Sequence, residues 1–250
     1  MSTTTTTTVI IITATTMRDE RESPRAPVAV SGFAAELMLW LSPSFPTGAF
    51  AYSQGLETAV ASGAITGRAD LSAWLTTLIA RGALWSDIVT ISFAFRTTAP
   101  GVLRDLADLS LALQPSAERS DETLVLARNF RKAIAAGWPE LNAAFDPLAD
   151  RPATYPLAVA LAARARGIPL EHTLEAYAQA FVTNALSAAI RLAVVGQYDA
   201  LGVHGLLAPA IRQAVAAAAA ATEDDIATAA FAADIASMNH ETLEVRLFRS

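Results

Sequence analysis

The sequence predicts an all-α protein, a single-domain bundle of roughly ten helices, on three observations. Apolar residues recur at three- and four-residue spacing through segments of helical length. After residue 31 no sustained period-2 alternation marks a strand. The apolar segments are punctuated by capping residues, glycines and prolines rather than by hairpin turns. The chain has 250 residues, 53% of them hydrophobic and 17% charged, where an ordinary soluble domain carries about 25% charge. A core of some size can therefore be filled, and the shortage of charge favours oligomerisation or a broad partner interface. No repeat of fixed length is visible.

Residues 1–30 are low in complexity, with a run of six threonines followed by residues 9–12, Val-Ile-Ile-Ile. This segment is expected to be disordered. Its β-branched residues disfavour helix, and the charged, proline-containing stretch 17–27 offers too little apolar surface to order itself. It lacks the basic start and long apolar run of a secretory signal. The physiological start is expected at Met17; an intact mass of the native protein beginning at Met1 or Ser2 would refute this.

The all-α domain is expected over residues 31–250. Ser31 caps a short helix over 33–41, whose Leu37, Trp40 and Leu41 share a face. Two prolines and a glycine break it between Ser42 and Gly48. A second helix is predicted over 50–61, ending at Gly63. Asp70 is the expected N-cap of a helix carrying Leu71, Trp74, Leu75, Leu78 and Ile79. The stretch 87–96 reads as helical despite its β-branched content. Pro100 suits the first position of the next helix, which carries Leu103, Leu106 and Leu109.

Ser120, Asp121 and Glu122 open a helix that closes at Gly137. The segment 142–156, with three prolines, reads as irregular. A helix over 157–166 stops at Gly167. Pro169 starts a long helix reaching Val195. Its apolar part, 180–195, is interrupted by Thr183, Asn184, Ser187 and Arg191 and is shorter than the ~20 residues of a membrane span, so it reads as a buried central helix. Asp199 or Gly202 begins another helix, through Ala221, with Pro209 in its first turn or at a kink. Thr222 to Asp225 resemble a capping box, opening a helix that ends near Met238.

Several function classes are excluded. A net charge of -6, with 18 scattered basic residues of which one is lysine, does not make a phosphate-binding face. The absence of cysteine removes disulfides, thiolate metal sites and cysteine nucleophiles. Three histidines without a clustered motif do not build a tight transition-metal site. No Gly-x-Ser-x-Gly elbow, Gly-x-x-x-x-Gly-Lys or Gly-x-Gly-x-x-Gly is present. His172 and His204 read as ordinary surface or loop residues, and Lys132, within Arg128-Asn129-Phe130-Arg131-Lys132, as a solvated helix face. The chain therefore reads as no enzyme, with no catalytic, cofactor-binding or metal-ligating residue. A DNA-binding regulator would need a basic helix–turn–helix, and none is visible.

Two segments stand out. Residues 41–57 hold two prolines, two glycines, three aromatics and one carboxylate. Aromatics beside a stiff loop suit a preorganised binding surface, since little entropy is lost on docking. The C-terminus ends on Leu247-Phe248 flanked by Arg246 and Arg249, where chain ends usually fray into polar tails. This pattern suggests a docking tail over about 239–250, on its own domain or on a partner; the alternative is a final amphipathic helix.

These residues resemble the urease accessory protein UreF family. Ser42, Pro43, Pro46, Gly48, Phe50, Tyr52, Ser53, Gly55, Leu56 and Glu57 match an early motif of that family. His240, Glu241, Arg246, Leu247, Phe248 and Ser250 match its C-terminal motif, and Gly196-Gln197 a step between them. Thr47, Val194-Val195, Asn239 and Leu243 depart from its usual residues, and at Val194-Val195 the departure lets a helix continue.

The resemblance implies an all-α cytoplasmic homodimer that takes part in urease maturation without catalysis. It would bridge UreD and the GTPase UreG on the urease apoprotein and support nickel insertion, with no nucleic acid or membrane partner. No cofactor is expected, because nickel would pass through the complex; a tight stoichiometric Ni²⁺ site in equilibrium dialysis would contradict this. The expected partner-binding residues are Pro46, Gly48, Phe50, Tyr52, Ser53, Gln54, Gly55 and Glu57, with His240, Glu241, Arg246, Leu247 and Phe248 of the tail. The tail is expected to fold back near residues 46–57, with Arg246 bonding carbonyls or a carboxylate there and Glu57 either serving that surface or capping and pairing locally. Arg246→Ala is then expected to lose UreG and keep the dimer. The alternative is an all-α ligand-sensing or scaffold protein unrelated to urease.

Overall fold

Helix α7 (Tyr155–Ala165) runs through the middle of the molecule, with every residue from Pro156 to Ala163 buried. Its small side chains let neighbours approach closely. Helices α4 (Ala83–Arg96) and α6 (Ala117–Gly137) both pack on it. Behind α4 lie α3 (Arg68–Arg81), α8 (Leu170–Arg191) and α9 (Gln197–Ala220), which pack on one another. Helix α5 (Pro100–Ala112) lies against α4 and a 3-10 segment, Pro139–Leu148. Helix α1 (Gly32–Trp40) packs on α8, α2 (Leu56–Ala61) on α8 and α10 (Phe231–His240), and α10 on α6. This is a computed structural model, and it describes Met1 and residues 32–250. The disorder expected of residues 1–30 and the Ser31 cap fall outside the described residues. Among those described there are ten α-helices, three 3-10 segments and no strand, as the all-α reading expects.

An aromatic cluster pins the proline-rich loop to α6. Trp40 meets Trp138 and Phe130 edge-on, with centroids 5.3 and 6.1 Å apart, and Phe45 lies 5.6 Å from Phe130. Such pairs contribute about 0.5–1.5 kcal/mol each beyond their buried area. The Asn129 side-chain amide donates to the Thr47 carbonyl at 2.9 Å, so the loop carrying Pro46 is held by packing and by a bond.

Several boundaries differ from the sequence expectations. The second helix starts at Leu56, because Gln54 (φ 57) and Gly55 (φ 80) take left-handed backbone. Ahead of them lie only a 3-10 turn, Ala49–Ala51, and an extended Tyr52. Asp70 is not an N-cap: α3 starts at Arg68, and the Asp70 carboxylate reaches back to accept the Thr66 amide and hydroxyl at 3.0 and 2.8 Å. Helix α6 starts earlier than expected, capped by Ser116, whose hydroxyl accepts the Arg119 amide at 3.2 Å.

The segment expected to be irregular at 142–156 contains much of the 3-10 segment Pro139–Leu148 and then enters α7 at Tyr155. Helix α8 stops at Arg191 rather than Val195, with Ala193 left-handed at φ 57. Helix α9 starts at Gln197, which puts Pro209 in its interior, where one helical bond cannot form. The Thr222–Asp225 capping box is real, but it opens only the 3-10 turn Glu223–Asp225. The chain there is held instead by Trp85 Nε1 donating to the Asp225 carbonyl at 2.9 Å and by the Ala229 amide donating to the Arg81 carbonyl at 2.7 Å.

Two stretches, Arg68–Arg96 and Gln197–Ala220, have the length and apolar content of a membrane span. The first is in fact two helices broken at an extended Gly82. The second is α9, packed on α8, α3 and α4. The 180–195 stretch lies mostly within α8, where Phe181, Val182, Leu186, Ala188 and Ala189 are buried.

Candidate functional site

Three helix ends and the chain terminus meet at one place. Gly55 permits the meeting: a Cβ there would lie 2.8 Å from the Ser237 amide nitrogen and 3.2 Å from the Ala233 carbonyl. Helix α10 therefore rests directly on the backbone before α2. The Ser116 and Ser237 hydroxyls, 2.8 Å apart, tie α10 to the start of α6. Residues 241–250 then turn away from α10 and run back over α2 and α6 without forming a helix.

Glu57 is the centre of this arrangement. Its buried carboxylate accepts the Leu247 amide at 2.6 Å through Oε1 and the Phe248 amide at 3.0 Å through Oε2. His240, fully buried, places Nε2 3.0 Å from Glu57 Oε2 and Nδ1 2.6 Å from Glu118 Oε2. The ring thus bridges two acids, with a carboxylate oxygen within hydrogen-bond reach of each ring nitrogen. Arg246 completes the chain, donating to Glu118 Oε1 at 2.7 Å. Burial pushes the Glu57 pKa up, but the bonds from His240, Leu247 and Phe248 outweigh it, and the carboxyl sits below its usual range.

The last residues are seated the same way. The Ser250 main-chain oxygen accepts the Ser53 hydroxyl at 2.6 Å and the Ser53 and Gln54 amides at 2.8 and 3.1 Å. The Ser250 hydroxyl donates to Glu122 Oε2 at 2.5 Å, and the Gln54 side-chain amide donates to Glu122 Oε1 at 3.2 Å. The Arg249 amide donates to the Ala51 carbonyl at 2.9 Å. The backbone around Ser53 thus bonds to the tail rather than to a helix, which is why no helix runs from residue 50. Phe248 is buried with the Arg191 guanidinium 4.2 Å over its ring. Burial raises the Tyr52 pKa, and Glu122 adds to the rise while Arg249 opposes it.

Beneath the tail lies a second charged group. Arg119 and Glu122, one turn apart on α6, form a buried ion pair. Asp87, on α4, accepts the Tyr177 hydroxyl at 2.8 Å. Burial pushes the Asp87 pKa up to about 6, with Arg119 and Tyr177 opposing the rise. Removing one member of such a group would leave a buried charge uncompensated, at a cost of about 3–5 kcal/mol.

The residues singled out in the sequence divide into three sets. Tyr52, Ser53, Gln54, Gly55, Glu57, His240 and Phe248 are brought together. Arg246 does bond a carboxylate, but on α6 rather than within residues 46–57. Glu241 accepts the Ala117 amide at 3.1 Å, at the start of α6. Pro46, Phe50 and Leu247 are exposed, Phe50 at 62% and Leu247 at 58%, and Gly48 is a left-handed turn residue at φ 87.

Sequence reasoning missed Glu118, Arg119, Glu122 and Arg191. A signal for two of them existed: Arg119 and Glu122 are in helical phase with Leu126, Phe130 and Ile134, so charge sits on an apolar stripe. Among the described residues no cluster of His, Asp and Glu could hold a metal ion.

The site chemistry is that of a clasp: short bonds to carboxylates and a main chain held in fixed register. Comparison with known proteins agrees with the motifs. The UreF family model matches residues 65–204. The urease accessory protein UreF of Rhizobium leguminosarum bv. viciae is 45% identical over 215 residues, covering 86% of this chain and 95% of that protein. That of Agrobacterium fabrum is 43% identical over 225 residues, covering 89% and 99%. That of Rhodopseudomonas palustris is 41% identical over 243 residues, covering 94% and 100%.

Proposed function

The chain belongs to the urease accessory protein UreF family, and from that premise we propose that it is a non-catalytic chaperone bridging UreD and the GTPase UreG for nickel insertion into apo-urease. It works in the cytoplasm as a homodimer, with neither nucleic acid nor membrane as a partner. It holds no cofactor of its own, and nickel passes through the assembly.

The clasped tail carries this reading. Buried bonds fix residues 246–250 on α2 and α6, while Phe50, Val245 and Leu247 stay exposed at 62%, 85% and 58%. Apolar side chains held in water by a rigid frame lose little entropy on docking, which favours a partner. Arg246, 41% exposed, has room to meet that partner while still bonded to Glu118. Thirteen residues were expected to bind partners; the seven that come together set the frame, and Phe50, Arg246 and Leu247 present the contact.

The test is urease activation in cells lacking this protein. The whole chain, and the chain starting at Met17, are expected to restore it and to bring down UreD and UreG. A chain ending at residue 240 is expected to stay folded and lose UreG. Full activation by that shortened chain would overturn the reading.

A further inference from the structure

Helix α6 has a second face. It turns Leu126, Phe130 and Ile134 to the core and the stripe through Leu124, Arg128, Arg131 and Lys132 outward. The 3-10 segment Pro139–Leu148 and Pro152 wall that stripe, leaving a cleft of about 730 Å³. Its floor is apolar, with Leu124, Val125 and Phe145, and Arg131 lies 4.8 Å over the Phe145 ring. Arg128, Arg131 and Lys132 line it, and Asp121 is the one acid in the lining.

The charge here runs against the rest of the molecule. The chain carries -6 overall. Arg68, Arg104, Arg151, Arg166 and Arg246 are each paired with a carboxylate. Among the described residues Arg128, Arg131 and Lys132 have no such partner; Arg81, Arg96, Arg164, Arg191, Arg212 and Arg249 lack one too, but these three line one cleft together. Three unpaired cations around an apolar floor make a hydrophobic centre with a positive rim, the layout of a protein interface. They are too few to hold a nucleic-acid backbone against a net negative chain.

We propose that this cleft docks an acidic segment of a partner protein, its carboxylates on Arg128 and Lys132 and an apolar side chain on the Phe145 floor. The inference rests on the reading that the chain presents surfaces to urease-maturation proteins, and adds a contact separate from the tail. The cleft lies about a quarter turn around α6 from Glu118 and Glu122, so one partner need not displace the other.

Lys132 is the only lysine in the chain, which gives a direct test. The assembly is isolated from cells on the tagged full chain and treated with a zero-length carbodiimide, which joins an amine to a carboxylate. The expected product is an amide between Lys132 and an Asp or Glu of a urease-maturation protein. The double variant Arg128→Glu, Lys132→Glu is expected to retain about tenfold less of that protein, and Lys132→Arg to retain it while losing the amide. An intact assembly with no intermolecular amide at Lys132, or full retention by the double variant, would overturn the proposal. If the unsubstituted chain brings down no maturation protein at all, the reading above fails and takes this one with it. If it brings down its partners and only the cleft variants are silent, the cleft proposal fails by itself.

Discussion

Glu57 and His240, 183 positions apart, lie in a single buried bond of 3.0 Å, and the same carboxylate holds the amides of Leu247 and Phe248. One side chain thus couples the end of α10 to the register of the tail. Glu57→Gln keeps the shape and removes the charge, and its side-chain nitrogen would face amide donors. Each charge-assisted bond contributes about 1.5–3 kcal/mol. Faster hydrogen exchange at the Leu247 and Phe248 amides, with the core amides unchanged, is the expected result. Unaltered exchange there would show that the clasp does not depend on Glu57.

Phe248→Ala should act locally too. Truncating a buried aromatic costs about 3–5 kcal/mol in a closed core, but here the loss is limited by the free energy of lifting the tail. Carboxypeptidase should digest the variant's tail quickly while its thermal midpoint barely moves. A large drop in that midpoint would mean that the tail is part of the cooperative core.

Arg246→Ala separates recruitment from stability. An exposed ion pair contributes at most about 1 kcal/mol, and Glu118 keeps its bond to His240. UreG should be lost from pull-downs, with the dimer and the denaturation curve retained. Unchanged UreG capture would remove Arg246 from the contact.

Gly55→Ala should be more damaging than an ordinary glycine substitution. The left-handed backbone costs about 1–2 kcal/mol for an L-residue, and the new Cβ meets the α10 backbone at 2.8 Å. A thermal midpoint lower by about 4–8 °C is expected, together with a more exposed tail. A variant as stable as the parent would show that α10 can shift freely.

The pH dependence has two opposing parts. The Glu57 pKa is lowered by folding, so its contribution is present above the ordinary carboxyl value and disappears as pH falls through the lowered one. The Asp87 pKa is raised to about 6 from 3.8, so the folded chain holds that proton more tightly. Stability therefore declines as pH rises through that window and stays lower above it. Asp87→Asn should flatten the decline in urea unfolding measured from about pH 4 to about pH 7. A slope identical to the parent's would exclude Asp87 as its source.

The aliphatic stripe of α3 and the stop at Gly167, left-handed at φ 76, were legible because local periodicity and backbone freedom decide them. The tail motif was legible as a docking element because Leu247-Phe248 is out of place on a free end. The start of α2 was not legible: the main-chain donors of Ser53 and Gln54 go to Ser250, a partner no local window contains. The helix expected from Thr222 begins only at Phe231 for the same reason, since Trp85 and Arg81 hold the stretch before it from across the fold.

By itself, then, the sequence determined the helical class and the family motifs, both properties of residue type and short-range spacing. Tertiary structure decided which acid meets which base. Glu118, Arg119 and Glu122 become a seat for the tail only when α2, α6 and α10 converge, because charge pairing depends on distances that the folded chain sets and spacing along it does not.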